Sequence, residues 1–175
     1  MDALIFIVDS LLTLAVYAFL LRLLLQLARA DFRNPIAQAV LKLTNWLVLP
    51  LRKVLPPIGR VDTASLVAVL IAQLAATGVV FLMLTGTAMP LGPLLLAAAR
   101  QAIVAAIQLY TVAIIVYALL SFVAPGTYSP AVGLLSSLCN PLLHPVRRVL
   151  PPIGGLDFSP LLVILALQAL KILIT

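Results

Sequence analysis

The chain has 175 residues, of which 64% are hydrophobic and only 9% charged, against roughly 45–50% and 25% in soluble domains. So few polar side chains cannot cover a water-facing surface, and so much Leu, Val, Ile and Ala excludes disorder, which leaves the bilayer as solvent. Eleven Lys and Arg oppose five Asp and no Glu, a net charge of +6, so an enzyme built here would have few acid or base groups to work with.

A first span is expected over about residues 3–27, interrupted by Asp9 and Arg22. About 20 apolar residues suffice to cross the hydrocarbon layer as a helix. Ala28, Arg29 and Ala30 imitate a signal-peptide cleavage site, but the N-terminus carries Asp2 instead of Lys or Arg and the apolar run is too long for a signal. A short helix follows over about 36–48, with Gln38, Lys42 and Asn45 at i, i+4 and i+7, which is the pattern of an amphipathic helix in the headgroup plane.

A loop from Pro50 to Asp62 leads to a second, uncharged span over about 63–87. An uncharged turn then joins it to a third span over about 94–123, charged only at Arg100. Ala98, Ala102 and Ala106 form a small-residue stripe on that span, suited to helix packing. A weaker amphipathic helix carries Gly133, Ser137, Asn140 and His144 on its polar side, and a second loop runs from Pro145 to Asp157. The last span, about 158–175, is short, and Lys171 near its end can snorkel to the interface.

Laid on itself at an offset of 95, the chain matches Asn45–Gln73 with Asn140–Gln168, and 14 of those 29 positions are identical. Chance does not supply this, so the chain reads as two copies. Residues 1–80 hold spans at about 3–27 and 63–87 around a basic loop at 29–62. Residues 94–175 hold spans at about 94–123 and 158–175 around a loop at 128–157. Each copy crosses the membrane twice, so both are expected in the same orientation, unlike inverted repeats. Arg29, Arg33, Lys42, Arg52, Lys53 and Arg60 lie between the first pair of spans, and Arg147 and Arg148 between the second. Positive-inside counting places both basic loops in the cytoplasm and both termini outside. The basic excess is then a topology signal, and direct nucleic-acid binding is not expected from bases spread over two loops.

The duplicated loops pair Arg52 and Lys53 with Arg147 and Arg148, Gly59 with Gly154 and Asp62 with Asp157. Two prolines stop a helix, the Gly permits a turn, and each Asp stands where an N-cap of the next span would. Two readings stay open for them. Either the residues are architectural, or Arg52, Lys53, Asp62, Asn140, Arg147, Arg148, Gly154 and Asp157 form a site for anionic lipid or a protein partner. Within the spans, Asp9, Arg22, Gln73, Arg100 and Gln168 are either structural, through snorkelling, pairing and interhelical hydrogen bonds, or the lining of a path. One cysteine, Cys139, excludes an internal disulfide, and one histidine, His144, excludes a His-based metal cage. No metal site, cofactor or catalytic set is expected.

The stretch Asn140-Pro-Leu-Leu-His-Pro-Val-Arg-Arg-Val-Leu-Pro-Pro-Ile-Gly-Gly-Leu-Asp-Phe-Ser-Pro160, followed by an apolar helix, resembles the YggT family of small bacterial membrane proteins. Gram-positive members are called YlmG, and the family has a plastid branch. The first copy departs from the family pattern at Trp46, Arg60 and Thr63-Ala64-Ser65. The resemblance implies a multi-pass inner-membrane protein of a family with no established enzymatic activity. It also implies roles in cell division, nucleoid placement, assembly of a plastid cytochrome complex or osmotic-stress tolerance.

The expectation is therefore an all-α polytopic membrane protein of four transmembrane helices in two same-orientation repeats, plus short interfacial helices. Its expected function is a non-enzymatic assembly or scaffold role, with anionic headgroups and a membrane or cytoplasmic protein as partners. The alternative is a small channel or an osmolyte or ion carrier linked to osmotic stress, for which a bundle of this size would need to be a homo-oligomer.

Overall fold

The structure, a computed structural model, describes residues 2–59, 61–123, 129–150 and 157–175. The protein is an all-α membrane protein. Six helices follow in order among the described residues: α1 (Asp2–Leu27), α2 (Pro35–Val54), α3 (Thr63–Thr85), α4 (Leu91–Val123), α5 (Pro130–Val149) and α6 (Ser159–Ile174). At 1.5 Å per residue, α1, α3 and α4 are all longer than the roughly 30 Å hydrocarbon layer. All three are apolar enough to cross it, and α6 is a shorter apolar helix of 16 residues. Large side chains such as Phe6, Leu14, Leu96, Phe122 and Leu173 stand exposed along these helices, as expected of a chain whose solvent is lipid.

The helices group into two compact units, one of Met1–Leu23 with Val40–Ala106 and the other of Leu24–Ala39 with Ile107–Thr175. In the first unit, α3 and α4 run as a hairpin. Gly86, with φ +71, closes α3 in the left-handed conformation and its N–H donates to Leu82 O at 2.9 Å. Gln73 Nε2 and Thr77 Oγ1 both donate to Gln101 Oε1, at 2.9 and 3.0 Å. Leu94 packs beside Gly78. Ala76 and Ala98 are buried, so small residues bring the two helices close. In the second unit α5 packs on α6. Gln168 Nε2 donates to Thr111 Oγ1 at 3.0 Å, joining α6 to α4. Both matched glutamines are thus interhelical bonds.

The amphipathic helices are longer than their polar spacing predicts. Each spans 20 residues, with Pro50 inside α2 and Pro141 and Pro145 inside α5. A proline removes one i→i−4 bond, and here the helix continues past it. Both helices stop two residues before the Pro-Pro pair, at Val54 and Val149. The reason is steric, because a residue preceding proline is driven out of the α region; Leu150 shows it, with φ −119 and ψ 93. Arg52, Lys53, Arg147 and Arg148 consequently lie in the last helical turn rather than in a loop. There the free carbonyls and the macrodipole favour cations.

Candidate functional site

The duplicated motif folds into a clamp between the end of a short helix and the start of the next apolar helix. In the first unit the chain leaves α2 through Pro56 and Pro57 and turns at Gly59, whose φ is +60. Ile58 and Val61 exchange backbone hydrogen bonds across that turn at 3.1 and 3.2 Å. The reversal returns Asp62 to Arg52. Arg52 donates from Nε at 3.1 Å and again from Nη2 to Asp62 Oδ2, and Ser65 Oγ donates to the same oxygen at 2.6 Å. Thr63 Oγ1 donates to Pro56 O at 2.7 Å and ties the loop to α3.

The second unit repeats the clamp more loosely. Arg147 Nε donates to Asp157 Oδ2 at 2.8 Å, and Asp157 Oδ1 accepts the Ser159 N–H at 2.9 Å. Arg147 Nη1 also donates to Asn140 Oδ1, two turns back along α5, at 3.4 Å. Gly154, matched to Gly59, lies outside the described residues.

The N-cap expectation holds in position at Asp62 and is off by one residue at Asp157. Asp62 occupies the N-cap position of α3, but its carboxylate makes no capping bond there, because Arg52 and Ser65 take it. The residue at the N-cap of α6 is Phe158, and Asp157 serves the first helical N–H from one position earlier.

Burial separates the two copies. The Asp62 side chain is 4% exposed, whereas Asp157 is 33% exposed and Arg147 34%. Burial pushes the Asp62 carboxyl up, but the hydrogen bonds from Arg52 and Ser65 and the charges of Arg52 and Arg22 outweigh it and hold the group below its ordinary value. Asp157 is likewise pushed up by burial and then held low by Ser159 and Arg147. Burial alone would lower Arg147, and Asp157 with the nearby Tyr117 raises it, so its charge is secure. Beside it, burial pushes the Cys139 thiol up to about 11, with Arg147 pulling weakly the other way. A thiol so buried is a packing residue.

Arg22 differs from the snorkelling residue expected at the end of a span. It is 1% exposed, and its Nη1 donates to Thr44 Oγ1 at 2.8 Å and to Asn45 Oδ1 at 2.9 Å on α2. Phe19, one turn earlier, packs edge-on against Trp46 with ring centroids 6.0 Å apart. Together these contacts hold α2 across α1. Asp9 and Arg100 lie exposed on their helices, and Asp9 enters no ion pair among the described residues. The two neighbours of the clamp arginines, Lys53 and Arg148, are exposed. They stand beside Val54 at 78% exposure and Val149 at 85%.

Thr44, Thr77, Gln101 and Thr111 complete these networks and were not singled out by composition, spacing or the repeat. Gln101 and Thr111 are especially silent. They serve matched glutamines from positions that the 95-residue offset does not relate.

Residues 1–83 and 96–175 match the CCB3/YggT family model. The chain is 39% identical over 173 residues to an uncharacterised protein of Pseudomonas aeruginosa, covering 98% of this chain and 88% of that one. It is 35% identical over 172 residues to the uncharacterised protein YggT of Escherichia coli K12, with the same coverage of 98% and 88%. A 45-residue stretch, 26% of this chain, is 47% identical to 18% of the chloroplastic YlmG homolog protein 2 of Arabidopsis thaliana. No solved structure matches the chain.

Proposed function

The chain belongs to the CCB3/YggT family, and from that premise we propose that it is a non-enzymatic assembly or scaffold protein of a bacterial inner membrane. It acts through the ends of α2 and α5, held in the cytoplasmic headgroup layer, with both termini on the opposite side. Sidedness follows from the charge pattern, since eight of the eleven basic residues fall in the stretches between paired spans and the 86–99 stretch has none.

The observation that carries the reading is a division of labour within each basic pair. Arg52 and Arg147 are committed to Asp62 and Asp157. Lys53 and Arg148 project outward beside exposed valines. A cation flanked by exposed apolar side chains at a helix end suits the boundary between headgroups and acyl chains, where charge meets phosphate and the apolar side chain enters the lipid. The clamp residues stabilise the fold behind that surface, and a protein partner in the membrane or cytoplasm would meet the surface there.

The Lys53→Gln/Arg148→Gln double variant tests this in intact cells by crosslinking. It should keep the melting temperature of the wild type and lose most of the crosslinked neighbours. Recovery of the same neighbours at wild-type yield sinks the proposal.

A further inference from the structure

The polar cluster of the first unit holds two guanidiniums and one carboxylate. Arg22 is buried on α1, and its two hydrogen bonds end on neutral oxygens, those of Thr44 and Asn45. Its Nε is sealed from water and has no partner among the described residues. Asp62 and Arg52 both lie within electrostatic reach of it, with opposing effects. Asp62 carries one negative charge and is already paired with Arg52, so it cannot neutralise both arginines.

A buried cation with no carboxylate of its own is costly, and such charges are normally balanced by a partner. The second unit shows the balanced case. Arg147 and Asp157 pair one to one, and residues 101–123, the part of the second copy that matches the stretch around Arg22, contain no charged residue. The excess belongs to the first copy alone.

We infer that the first-copy cluster of Arg22, Arg52 and Asp62 takes a phosphate-bearing anion, bound at the outer edge of Arg52, with Arg22 beneath it supplying the charge that Asp62 leaves unbalanced. The Arg52 side chain is 44% exposed, so its outer edge is open while its inner edge holds Asp62. Lys53, exposed beside it, adds a second cation to the approach. Guanidinium is the side chain best matched to the paired oxygens of phosphate. The anion is a phosphodiester of an acidic phospholipid or free inorganic phosphate. Arg22 is a positioning residue, since it acts through the charge balance and need not touch the ligand. The inference deepens the headgroup reading at the end of α2, with which it shares Lys53, and its test turns on Arg22, which the crosslinking variants leave unchanged, so the two can fail separately.

The full chain in mild detergent carries the test. Native mass spectrometry counts retained phosphatidylglycerol against phosphatidylcholine, and a melting series with inorganic phosphate forms the second arm. Wild type should prefer phosphatidylglycerol, or melt higher with phosphate, and whichever arm responds identifies the source. Arg22→Gln should weaken that binding about tenfold, Arg22→Lys should retain most of it, and Arg33→Gln, the same charge change elsewhere, should leave it intact. The inference is overturned if wild type shows neither preference nor shift. Equal losses in Arg22→Gln and Arg33→Gln, or loss in Arg22→Lys as complete as in Arg22→Gln, overturn it too. If Arg22→Gln does not fold, the wild-type and Arg22→Lys arms decide.

Discussion

Asp62→Ala should destabilise the protein by about 2–3 kcal/mol, and Asp157→Ala by under about 1 kcal/mol, although the two residues are matched in sequence. Asp62 is 4% exposed and accepts from Arg52 and Ser65, so its removal leaves a buried hydroxyl and two nearby guanidiniums without their carboxylate. The outer side of Arg52 can turn to water, which keeps the loss below the 3–5 kcal/mol typical of a fully buried pair. At Asp157 both partners are one-third exposed, and water replaces most of what is lost. Melting of the two variants in the same detergent checks the contrast.

The Asp62 carboxylate also sets a pH dependence. Because the folded Asp62 carboxyl sits below its ordinary value, its contribution is complete above the unfolded pKa of about 3.9 and is lost as pH falls through the lower folded value. The melting temperature should therefore hold from pH 7 to about 5 and fall below about 4. Asp62→Asn should start lower and show a shallower acid fall, whereas an unchanged acid profile in that variant contradicts the assignment.

The second large effect is expected at Ala98→Leu, at about 1–3 kcal/mol. Ala98 is 1% exposed, on the α4 face that closes on α3, where Gly78 already accommodates Leu94. Three added carbons have no room and must push the helices apart. That separation would stretch the bonds from Gln73 and Thr77 to Gln101. Ile103→Ala, on the same helix but 50% exposed towards lipid, should change melting by less than about 0.5 kcal/mol. Similar losses in the two variants would contradict close packing at Ala98.

The apolar helices were legible because hydropathy over a long window is a local property. The expected starts and ends, about 3–27, 63–87, 94–123 and 158–175, fall within three residues of α1, α3, α4 and α6. Amphipathic spacing found α2 and α5 but ended α2 at residue 48, whereas the helix runs through Pro50 to Val54. Interhelical bonding by Gln73 and Gln168 was one of the readings open, and their matched positions pointed to it.

Arg22 shows what the sequence withheld. Depth along a span implied snorkelling, and only the crossing of α2 over α1, made by Thr44 and Asn45 more than 20 residues away, buries it. Asp62 illustrates the same limit. Its place before a helix was readable, but the turn at Gly59 that delivers Arg52 to its carboxylate was not.

The most direct test of the account compares two adjacent residues on α5. Arg147 bonds Asp157 and Asn140, while Arg148 is exposed. Arg147→Gln and Arg148→Gln should be measured side by side for melting temperature and for neighbours captured by crosslinking in cells. The account predicts that Arg147→Gln lowers melting and keeps the neighbours, and that Arg148→Gln keeps melting and loses them. The reverse pattern, or two variants that behave alike, would contradict it.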